Sequence, residues 1–271
     1  MTAPVDCLPL AAETAELVRQ TGQALLSWQV ERIEYKGNDP QDLVSNLDRK
    51  VQDRLAEGLQ LLQKADFYAE EKTNAPISGL TWIVDPIDGT TNFISRGRDY
   101  AISVALYAGA NPLLGIVYDV ERDDLYQGIS GHGASLNGRP LAQPPAQPLS
   151  ACILEMSIGT LRNLMRRTDA GLLNISREVR ATRSMGCASL ALCQVAAGRL
   201  QLYLSSRLRP WDHAAARVIL EEVGGIVAPL FPAESEADPF LDGAPLPLLG
   251  AANRDLAAKI LHRYFSPVAD G

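Results

Sequence analysis

Two carboxylates emerge together where a strand-like segment of the chain ends. Leu80–Val84 is rich in β-branched and aromatic residues, which predicts a strand. Pro86 and Gly89 then impose a turn at the point where Asp85 and Asp88 leave the strand. Because Mg²⁺ prefers oxygen ligands, carboxylates three residues apart across a turn can converge on one such cation. The spacing therefore predicts a divalent-metal site.

The residues inside the same turn add donors for a metal and for phosphate. The carbonyl of Ile87 can join the two carboxylates, since Mg²⁺ also accepts backbone oxygens. Gly89 has no Cβ, so its amide and that of Thr90 can approach a phosphate oxygen closely. The alternative is a strand that ends in an Asx-turn, in which Asp85 and Asp88 accept hydrogen bonds from local amides.

Two further acidic segments accompany this turn. Glu70 follows the short apolar run Phe67–Tyr68, and Trp211 with Asp212 opens an alanine-rich helix far downstream. Taken alone, Asp212 is a good helix N-cap. The three motifs, in this order, resemble those of the inositol monophosphatase family of metal-dependent phosphomonoesterases. The resemblance extends from about Lys36 to the last helix.

The resemblance implies a role for each of these residues. It implies that two or three Mg²⁺ ions are held by Glu70, Asp85, the carbonyl of Ile87, Asp88 and Asp212. Thr90 is the natural partner of the attacking water, because its hydroxyl both donates and accepts hydrogen bonds. The resemblance assigns help to Asp48, in a segment where the family usually has Thr in place of Ser45. The alternative for Asp48 is a first-turn acid that complements the helix dipole.

The substrate side of the site is also suggested by resemblance. The segment Arg183–Ser189 is similar to one whose backbone faces substrate hydroxyls in the family, although Cys187 replaces the common hydroxyl residue. The implied substrate contacts are Asp88, Gly89, Thr90, Gly186, Cys187, Ala188 and Ser205. Ser205 stands where many inositol phosphatases have a Glu that binds polyol hydroxyls. Its loss weakens the case for inositol itself, because buried hydrogen-bonding groups give such a pocket its discrimination.

Three basic residues near these motifs have two interpretations each. Lys36 matches a loop lysine that lies near the metals in the family, and a solvated loop lysine is the alternative. Arg207 and Arg209 either read a second phosphate or acidic group, or are ordinary exposed arginines ahead of a helix.

Composition agrees with an enzyme that acts on small molecules. The 271 residues are 46% hydrophobic, which is enough for one large core or two modest ones. With 25 Lys and Arg against 32 Asp and Glu, the net charge of −7 argues against a nucleic-acid face. The 4 cysteines have no paired spacing, which favours reduced thiols in a cytoplasmic protein. No apolar run approaches the roughly 18 residues of a membrane span, so we expect no export and no anchor.

Periodicity predicts the elements that hold these residues. In the first part we predict helices over Leu10–Val30 and Asn46–Leu62, with Asn46 as N-cap, and antiparallel strands over Ala101–Tyr107, Leu113–Tyr118 and Asp124–Gln127. The proline-rich segment Ala142–Pro148 predicts a boundary between domains 1–145 and 146–271. Beyond it we predict strands over Cys152–Met156, Leu200–Leu204 and Ile226–Val227, helices over Leu161–Leu173, Ala188–Ala197 and Asp212–Val223, and a surface loop over Pro229–Pro247.

We therefore predict an α+β fold, for which the resemblance implies an αβαβα sandwich of the inositol monophosphatase and fructose-1,6-bisphosphatase type. The predicted reaction is Mg²⁺-dependent hydrolysis of inositol monophosphate or a similar polyol or sugar phosphate. The alternatives are a histidinol-phosphate phosphatase, a 3′-phosphoadenosine 5′-phosphate phosphatase, and a regulatory binding protein with incidental phosphatase activity. The resemblance also implies a homodimer.

Overall fold

The chain is described by a computed structural model over residues 5–35, 43–72, 77–168, 171–232 and 238–265. Lys36, the predicted loop lysine, lies outside these ranges. Within them, no helix is both long enough and apolar enough to cross a membrane. The described elements form two large β-sheets, with helices between and outside them, and one two-stranded sheet.

Two helices cover the outer face of the first sheet. Helix α1 spans Cys7–Leu25, and helix α2 spans Asn46–Leu62. Between them, β1 (Ile33–Tyr35) and β2 (Leu43–Ser45) form a small antiparallel pair, so α1 ends earlier than predicted to let the chain enter β1. The predicted N-cap, Asn46, is wrong. Ser45 is the cap, because its side chain accepts a hydrogen bond from the amide of Leu47.

The first sheet has seven strands that lie side by side in chain order. They are β3 (Asp66–Ala69), β4 (Leu80–Asp88), β5 (Ala101–Ala108), β6 (Asn111–Asp119), β7 (Asp124–Ile129), β8 (Gly133–Leu136) and β9 (Arg139–Pro140). Every pair is antiparallel except β3 with β4, which is parallel and so departs from the predicted antiparallel sheet. This parallel pair sets Ala69 beside Val84, so Glu70 and Asp85 leave the sheet at the same edge.

The second sheet is mixed. Its strands are β10 (Ile153–Glu155), β11 (Ala181–Arg183), β12 (Leu202–Leu208), β13 (Ile226–Pro229) and β14 (Leu246–Ala251), in the spatial order β11-β10-β12-β14-β13. Strand β10 is parallel to both of its neighbours, and β14 is antiparallel to both of its own. The domain division at residues 145 and 146 falls between β9 and β10 and stays a prediction.

Helices α6 (Ala188–Ala196) and α7 (Pro210–Glu222) lie between the two sheets. On β4, Trp82 and Val84 pack towards α1 and α2, whereas Ile83 packs towards α6 and α7. On the far side of the second sheet, a third core includes the helix α8 (Arg254–Tyr264). The layers are therefore helix, sheet, helix, sheet, helix, as the resemblance implied.

One predicted helix and one predicted loop are wrong in extent. The helix predicted over Leu161–Leu173 is instead α4 (Ile158–Leu164), which Ser157 caps, followed by a short 3₁₀ turn at Leu172–Asn174 and by α5 (Ile175–Glu178). The left-handed backbone of Gly171, with φ 63°, separates the two parts. The predicted loop over Pro229–Pro247 is shortened at both ends, by β13 and by β14.

Helix α7 comes unusually close to the first sheet because two glycines face it. Gly115 on β6 and Gly128 on β7 are cross-strand partners. A Cβ added to Gly115 would lie 2.9 Å from the carbonyl carbon of Ala215, and one added to Gly128 would lie 2.8 Å from Cα of Ile219. The hydroxyl of Tyr107 also donates to the carbonyl of Ala214, at 3.0 Å. These contacts therefore set the distance between α7 and the first sheet, and with it the position of Asp212 in the first turn of α7.

Gly115→Ala should push α7 away from the sheet and destabilise the protein. The added methyl group would meet helix backbone rather than a flexible side chain, and such overpacking costs about 1–3 kcal/mol. Chemical denaturation would measure the loss. Gly159→Ala is the matched control, because its methyl group would find only Oγ of Ser157, at 3.7 Å, and alanine favours a helix. Equal stability of Gly115→Ala and the wild type would contradict the close approach.

Candidate active site

Two buried acids lie at the C-terminal end of strand β4, at one end of the first sheet. Asp85 is 1% exposed and Asp88 is 7% exposed. The register between β4 and β5 shifts between these two residues, so the strand is irregular where the acids emerge. Gly89 follows with a left-handed φ of 88°, and α3 (Thr90–Arg96) begins directly after it. The predicted turn is present, but it lies at Gly89 alone, because strand β4 continues through Pro86 to Asp88.

The two predicted catalytic residues are in contact. The hydroxyl of Thr90 lies 3.1 Å from Oδ1 of Asp48 and 3.0 Å from the carbonyl oxygen of Ile87, and it can donate to either. The other carboxylate oxygen of Asp48, Oδ2, accepts from the amide and the hydroxyl of Ser45, at 2.8 and 2.6 Å. Asp48 is fully buried, at 0% exposure, and its orientation is fixed by the N-terminal cap of α2.

Four carboxylates share one electrostatic environment at this edge. Burial raises the pKa of Asp85 well above its ordinary value, and the negative charges of Glu70, Asp88 and Asp212 raise it further. Glu70 is also close enough for a side-chain hydrogen bond to Asp85, which raises the same pKa. The structure therefore brings together all four side chains that the resemblance implied as metal ligands.

Asp212 reaches this cluster from the other sheet layer. It is the third residue of α7 and not the N-cap, which is Arg209. Its Oδ2 accepts a hydrogen bond from the amide of Arg209 at 2.6 Å, as in a capping box. Asp48 has the same position and the same type of bond in α2.

Asp88 is held by the start of α6. Its Oδ2 accepts from the amide and the hydroxyl of Ser189, both at 2.6 Å, and from Sγ of Cys187 at 3.1 Å. Its Oδ1 lies 3.3 Å from the amide of Ala188. Burial raises the pKa of Asp88, and these hydrogen bonds lower it in part. The predicted substrate segment thus orients a predicted metal ligand, and its Ala188 amide faces Asp88.

A small cavity opens beside Asp88, between the two sheets. Its volume is about 240 Å³, and its lining consists of Asp88, Glu155, Ser157, Thr160, Gly186, Cys187, Ala188, Tyr203, Leu204, Ser205, Leu208 and Asp212. Five of the predicted substrate contacts are in this lining, whereas Gly89 and Thr90 are not. Gly89 nevertheless adjoins it, because a Cβ there would lie 3.2 Å from Cβ of Cys187 and 3.3 Å from the carbonyl oxygen of Gly186.

Three residues of the site were not predicted from the sequence. Asn92 donates to the carbonyls of Asp99 and Met185, at 2.9 and 2.6 Å, and so ties α3 to the substrate segment. Ser189 holds Asp88, and Glu155 lines the cavity. The signal for Glu155 was a carboxylate inside the apolar strand Ile153–Met156, where acids are seldom buried.

Arg207, Arg209 and His213 lie around the cavity without lining it. Arg209 donates to the carbonyl of Gly243 and lies over the ring of Trp211, whereas Arg207 is exposed. Burial, together with the charge of Arg217, lowers the pKa of His213 to about 3. His213 is therefore a neutral residue that packs against Phe240.

The donor set fits a hard divalent cation in chemical type. Its members are oxygen ligands, and their mutual repulsion raises the pKa of Asp85, which a bound cation would reverse. Among the described residues, no three acidic, histidine or cysteine side chains are arranged as a closed metal cage. In this structure Asp88 and Asp212 accept hydrogen bonds from helix starts. A carboxylate has about four lone-pair positions, so Asp212 keeps capacity for a metal beside the bond from Arg209, whereas a metal at Asp88 would replace one of its four donors.

Comparison with known proteins agrees with this geometry. The model of the inositol monophosphatase family matches residues 7–264. An inositol-1-monophosphatase from Bacillus subtilis (strain 168) is 37% identical over 215 residues, which is 77% of this chain and 78% of the relative. A putative Nus factor SuhB from Neisseria meningitidis serogroup B is 30% identical over 93% of this chain and 97% of the relative.

A solved structure described as an IMPase/NADP phosphatase in complex with Mg²⁺ and phosphate superposes with a TM-score of 0.82. It is 26% identical in sequence, and the superposition covers 97% of this chain and 100% of that one. The αβαβα fold is thereby confirmed. With the family match over nearly the whole chain, the protein belongs to the inositol monophosphatase family and is a phosphoric monoester hydrolase.

Proposed function

We propose that this hydrolase cleaves inositol monophosphate or a similar small polyol or sugar phosphate, with Mg²⁺ as its cofactor. The observation that carries the proposal is the convergence of Glu70, Asp85, Asp88 and Asp212 beside the contact of Thr90 with Asp48. The four carboxylates supply hard oxygen ligands for a cation, and the Thr90–Asp48 contact supplies a hydroxyl with a fixed acceptor. Phosphate-ester hydrolysis needs a cation to neutralise the charge on the phosphate oxygens, and it needs a hydrogen-bonding group to orient the attacking water.

Thr90 and Asp48 orient the attacking water in the proposed mechanism. Ser45 fixes Oδ2 of Asp48, so Oδ1 is the oxygen that accepts from the hydroxyl of Thr90. With its proton directed to Asp48, the hydroxyl oxygen can accept a hydrogen bond from water. The water's own lone pair is then directed away from Thr90, towards a phosphorus atom. As the water attacks phosphorus, its proton can move to Oγ1 of Thr90 while Asp48 takes the hydroxyl proton. The P–O bond to the alcohol then breaks, and the alcohol oxygen leaves with the bonding electron pair and takes a proton from solvent.

The predicted metal ligands complete the proposed centre. Magnesium, when bound, supplies positive charge to the phosphate oxygens and lowers the pKa of a coordinated water. Glu70, Asp85, the carbonyl of Ile87, Asp88 and Asp212 would hold it, in two or three positions. Support comes from the oxygen donor set and from the Mg²⁺ and phosphate in the related structure. The amides of Gly89 and Thr90 are proposed to bind the phosphate group.

The cavity favours a compact alcohol over a nucleoside as the leaving group. Its volume of about 240 Å³ is below the roughly 300–1,000 Å³ of typical drug-sized ligand sites. Arg209, one candidate for a second phosphate, already donates to the carbonyl of Gly243. The B. subtilis relative is named for inositol-1-phosphate, which is a compact polyol ester. These points rank the 3′-phosphoadenosine alternative lower, whereas cavity size does not separate inositol phosphate from histidinol phosphate.

A regulatory binding protein remains the second candidate, because one relative of nearly full length is named as a putative Nus factor. Its incidental phosphatase activity would still use the same site. The predicted homodimer and the cytoplasmic location both stay predictions.

The proposed function predicts Mg²⁺-dependent phosphate release from a substrate panel. The panel holds inositol-1-phosphate, histidinol phosphate, adenosine 3′,5′-bisphosphate, fructose bisphosphate and glycerol-2-phosphate. Turnover should be highest for inositol-1-phosphate and should disappear with EDTA, because the carboxylate cluster then has no counter-charge. If folded, Mg²⁺-loaded protein left every substrate intact, the regulatory candidate would replace the proposal.

Asp85→Asn should lower kcat/KM by at least about 100-fold while the fold is retained. Removing one of four adjacent carboxylates also relieves their repulsion, so the Tm in EDTA should stay equal or rise. The increase in Tm that Mg²⁺ gives the wild type should be lost. Asp53→Asn, on the exposed side of α2, is the control. Retained Mg²⁺-dependent turnover in Asp85→Asn would refute the metal assignment.

Thr90→Val should reduce kcat by about 10²–10⁴-fold, because the water loses its hydrogen-bonding partner. Thr90→Ser keeps the hydroxyl and should retain most of the rate. KM should change little in both variants, since the hydroxyl of residue 90 contacts the attacking water and not the alcohol portion of the substrate. Steady-state kinetics with inositol-1-phosphate would compare them. Equal rates in the valine and serine variants would exclude the hydroxyl from catalysis.

A further inference from the structure

Glu155 has a carboxylate oxygen without a partner in the wall of the cavity. The residue is 3% exposed. Its Oε1 accepts a hydrogen bond from the amide of Met185 at 2.6 Å. Its Oε2 is buried and has no hydrogen-bond partner, although the residue lines the cavity. An unpaired buried carboxylate oxygen costs free energy, so it marks a place where a ligand can supply the missing donor.

The two other acids in the lining differ from Glu155. Asp88 accepts from Ser189, Cys187 and Ala188. Asp212 accepts from the amide of Arg209, and both residues belong to the proposed metal cluster. Glu155 is not among the charges that shift the pKa of Asp85. Its free oxygen is therefore available to the part of the substrate that does not bind the metal.

The strand register puts Glu155 on the same face of the second sheet as Ser205, where many inositol phosphatases have a carboxylate and this chain has none. Glu155 on β10 pairs with Tyr203 on β12, and Ser205 follows Tyr203 by two residues, so all three face the cavity. The neighbouring residues Leu154 and Leu202 pack into the core on the opposite face. A carboxylate absent from β12 at Ser205 is thus present on the adjacent strand.

We propose that Glu155 is a specificity-determining residue that accepts a hydrogen bond, through Oε2, from a hydroxyl group of the alcohol portion of the substrate. The inference deepens the proposed function and rests on it. It names the substrate class as esters whose alcohol carries free hydroxyl groups besides the esterified one. A site built to pair with a hydroxyl rejects an analogue that lacks it, because the protein group is then left unpaired.

The neighbouring charge favours a neutral hydroxyl over an ammonium group. Burial raises the pKa of Glu155, whereas the backbone amides of Met185 and Gly186 and the charge of Arg183 lower it. Arg183 is the cross-strand partner of Glu155 on β11. Because a cation already acts on this carboxylate, a second one gains less from it. A hydroxyl donor needs no net charge.

The test compares two substrates in two proteins. Inositol-1-phosphate carries hydroxyl groups around its ring, and cyclohexyl phosphate has a ring of the same size with none. Glu155→Gln keeps an oxygen for the Met185 amide and replaces the other with an NH₂ donor. The ratio of kcat/KM for inositol-1-phosphate to that for cyclohexyl phosphate should fall by about 10- to 100-fold in Glu155→Gln, through KM as well as kcat. Glu121→Gln, an exposed glutamate, is the control.

An unchanged ratio in folded Glu155→Gln would overturn the inference. If both kcat/KM values fell equally, the ratio would also be unchanged, and the role of Glu155 would be structural. The proposed function would survive either result if wild-type turnover with inositol-1-phosphate depended on Mg²⁺. Failure of the wild type with both substrates would overturn both proposals. A measurement on the wild type alone needs no variant: histidinol phosphate, which carries an amine, should have a lower kcat/KM than inositol-1-phosphate. A higher value would overturn the inference.

Discussion

Repulsion among buried carboxylates is the constraint on which this structure depends. Asp85 and Asp88 stand at the end of a buried strand, and Glu70 and Asp212 bring further negative charge to them. Such a group is unfavourable in the folded chain by itself, since each charge raises the free energy of ionising the next. Large apolar cores on both faces of the first sheet stabilise the fold despite this cost. An unfavourable cluster of this kind is expected in an enzyme whose proposed cofactor is a cation.

The layers of the fold serve to assemble this group from distant parts of the chain. The parallel pairing of β3 with β4 brings Glu70 beside Asp85, and the glycine pair on β6 and β7 lets α7 approach with Asp212. The start of α6 donates hydrogen bonds to Asp88, so the predicted substrate segment has a fixed position relative to the proposed metal cluster. The contacts of α7 and α6 join elements that are far apart in sequence, which explains why both halves of the chain are needed for one site.

Much of this could be predicted from the sequence, because local patterns were strong. The strand ahead of Asp85, the turn at Gly89 and the helix after Trp211 are set by residue types within a few positions. Partners across the fold could not be predicted in this way. The parallel pairing of β3, the bonds of Asp88 to Ser189, and the free oxygen of Glu155 depend on register between distant strands and helices. The apolar spacing of Leu161–Leu173 also predicted one helix, although the observed helix ends at Leu164 and a separate turn begins after Gly171.

The hydrogen bonds that Asp48 and Asp212 accept at helix starts have an evolutionary consequence. Each bond stabilises the first turn of a helix while its acid occupies the proposed centre. Loss of such a bond costs about 1 kcal/mol of stability, in a protein whose margin is small. Many active-site residues can drift once selection for activity is relaxed, often with a gain in stability. At Asp212 that loss is offset, because its charge is among those that repel Asp85. At Asp48, which is not among them, a drifting lineage would lose stability, so this acid is expected to persist in descendants that have given up catalysis. The presence of Asp48 in a related sequence is therefore weak evidence of retained turnover.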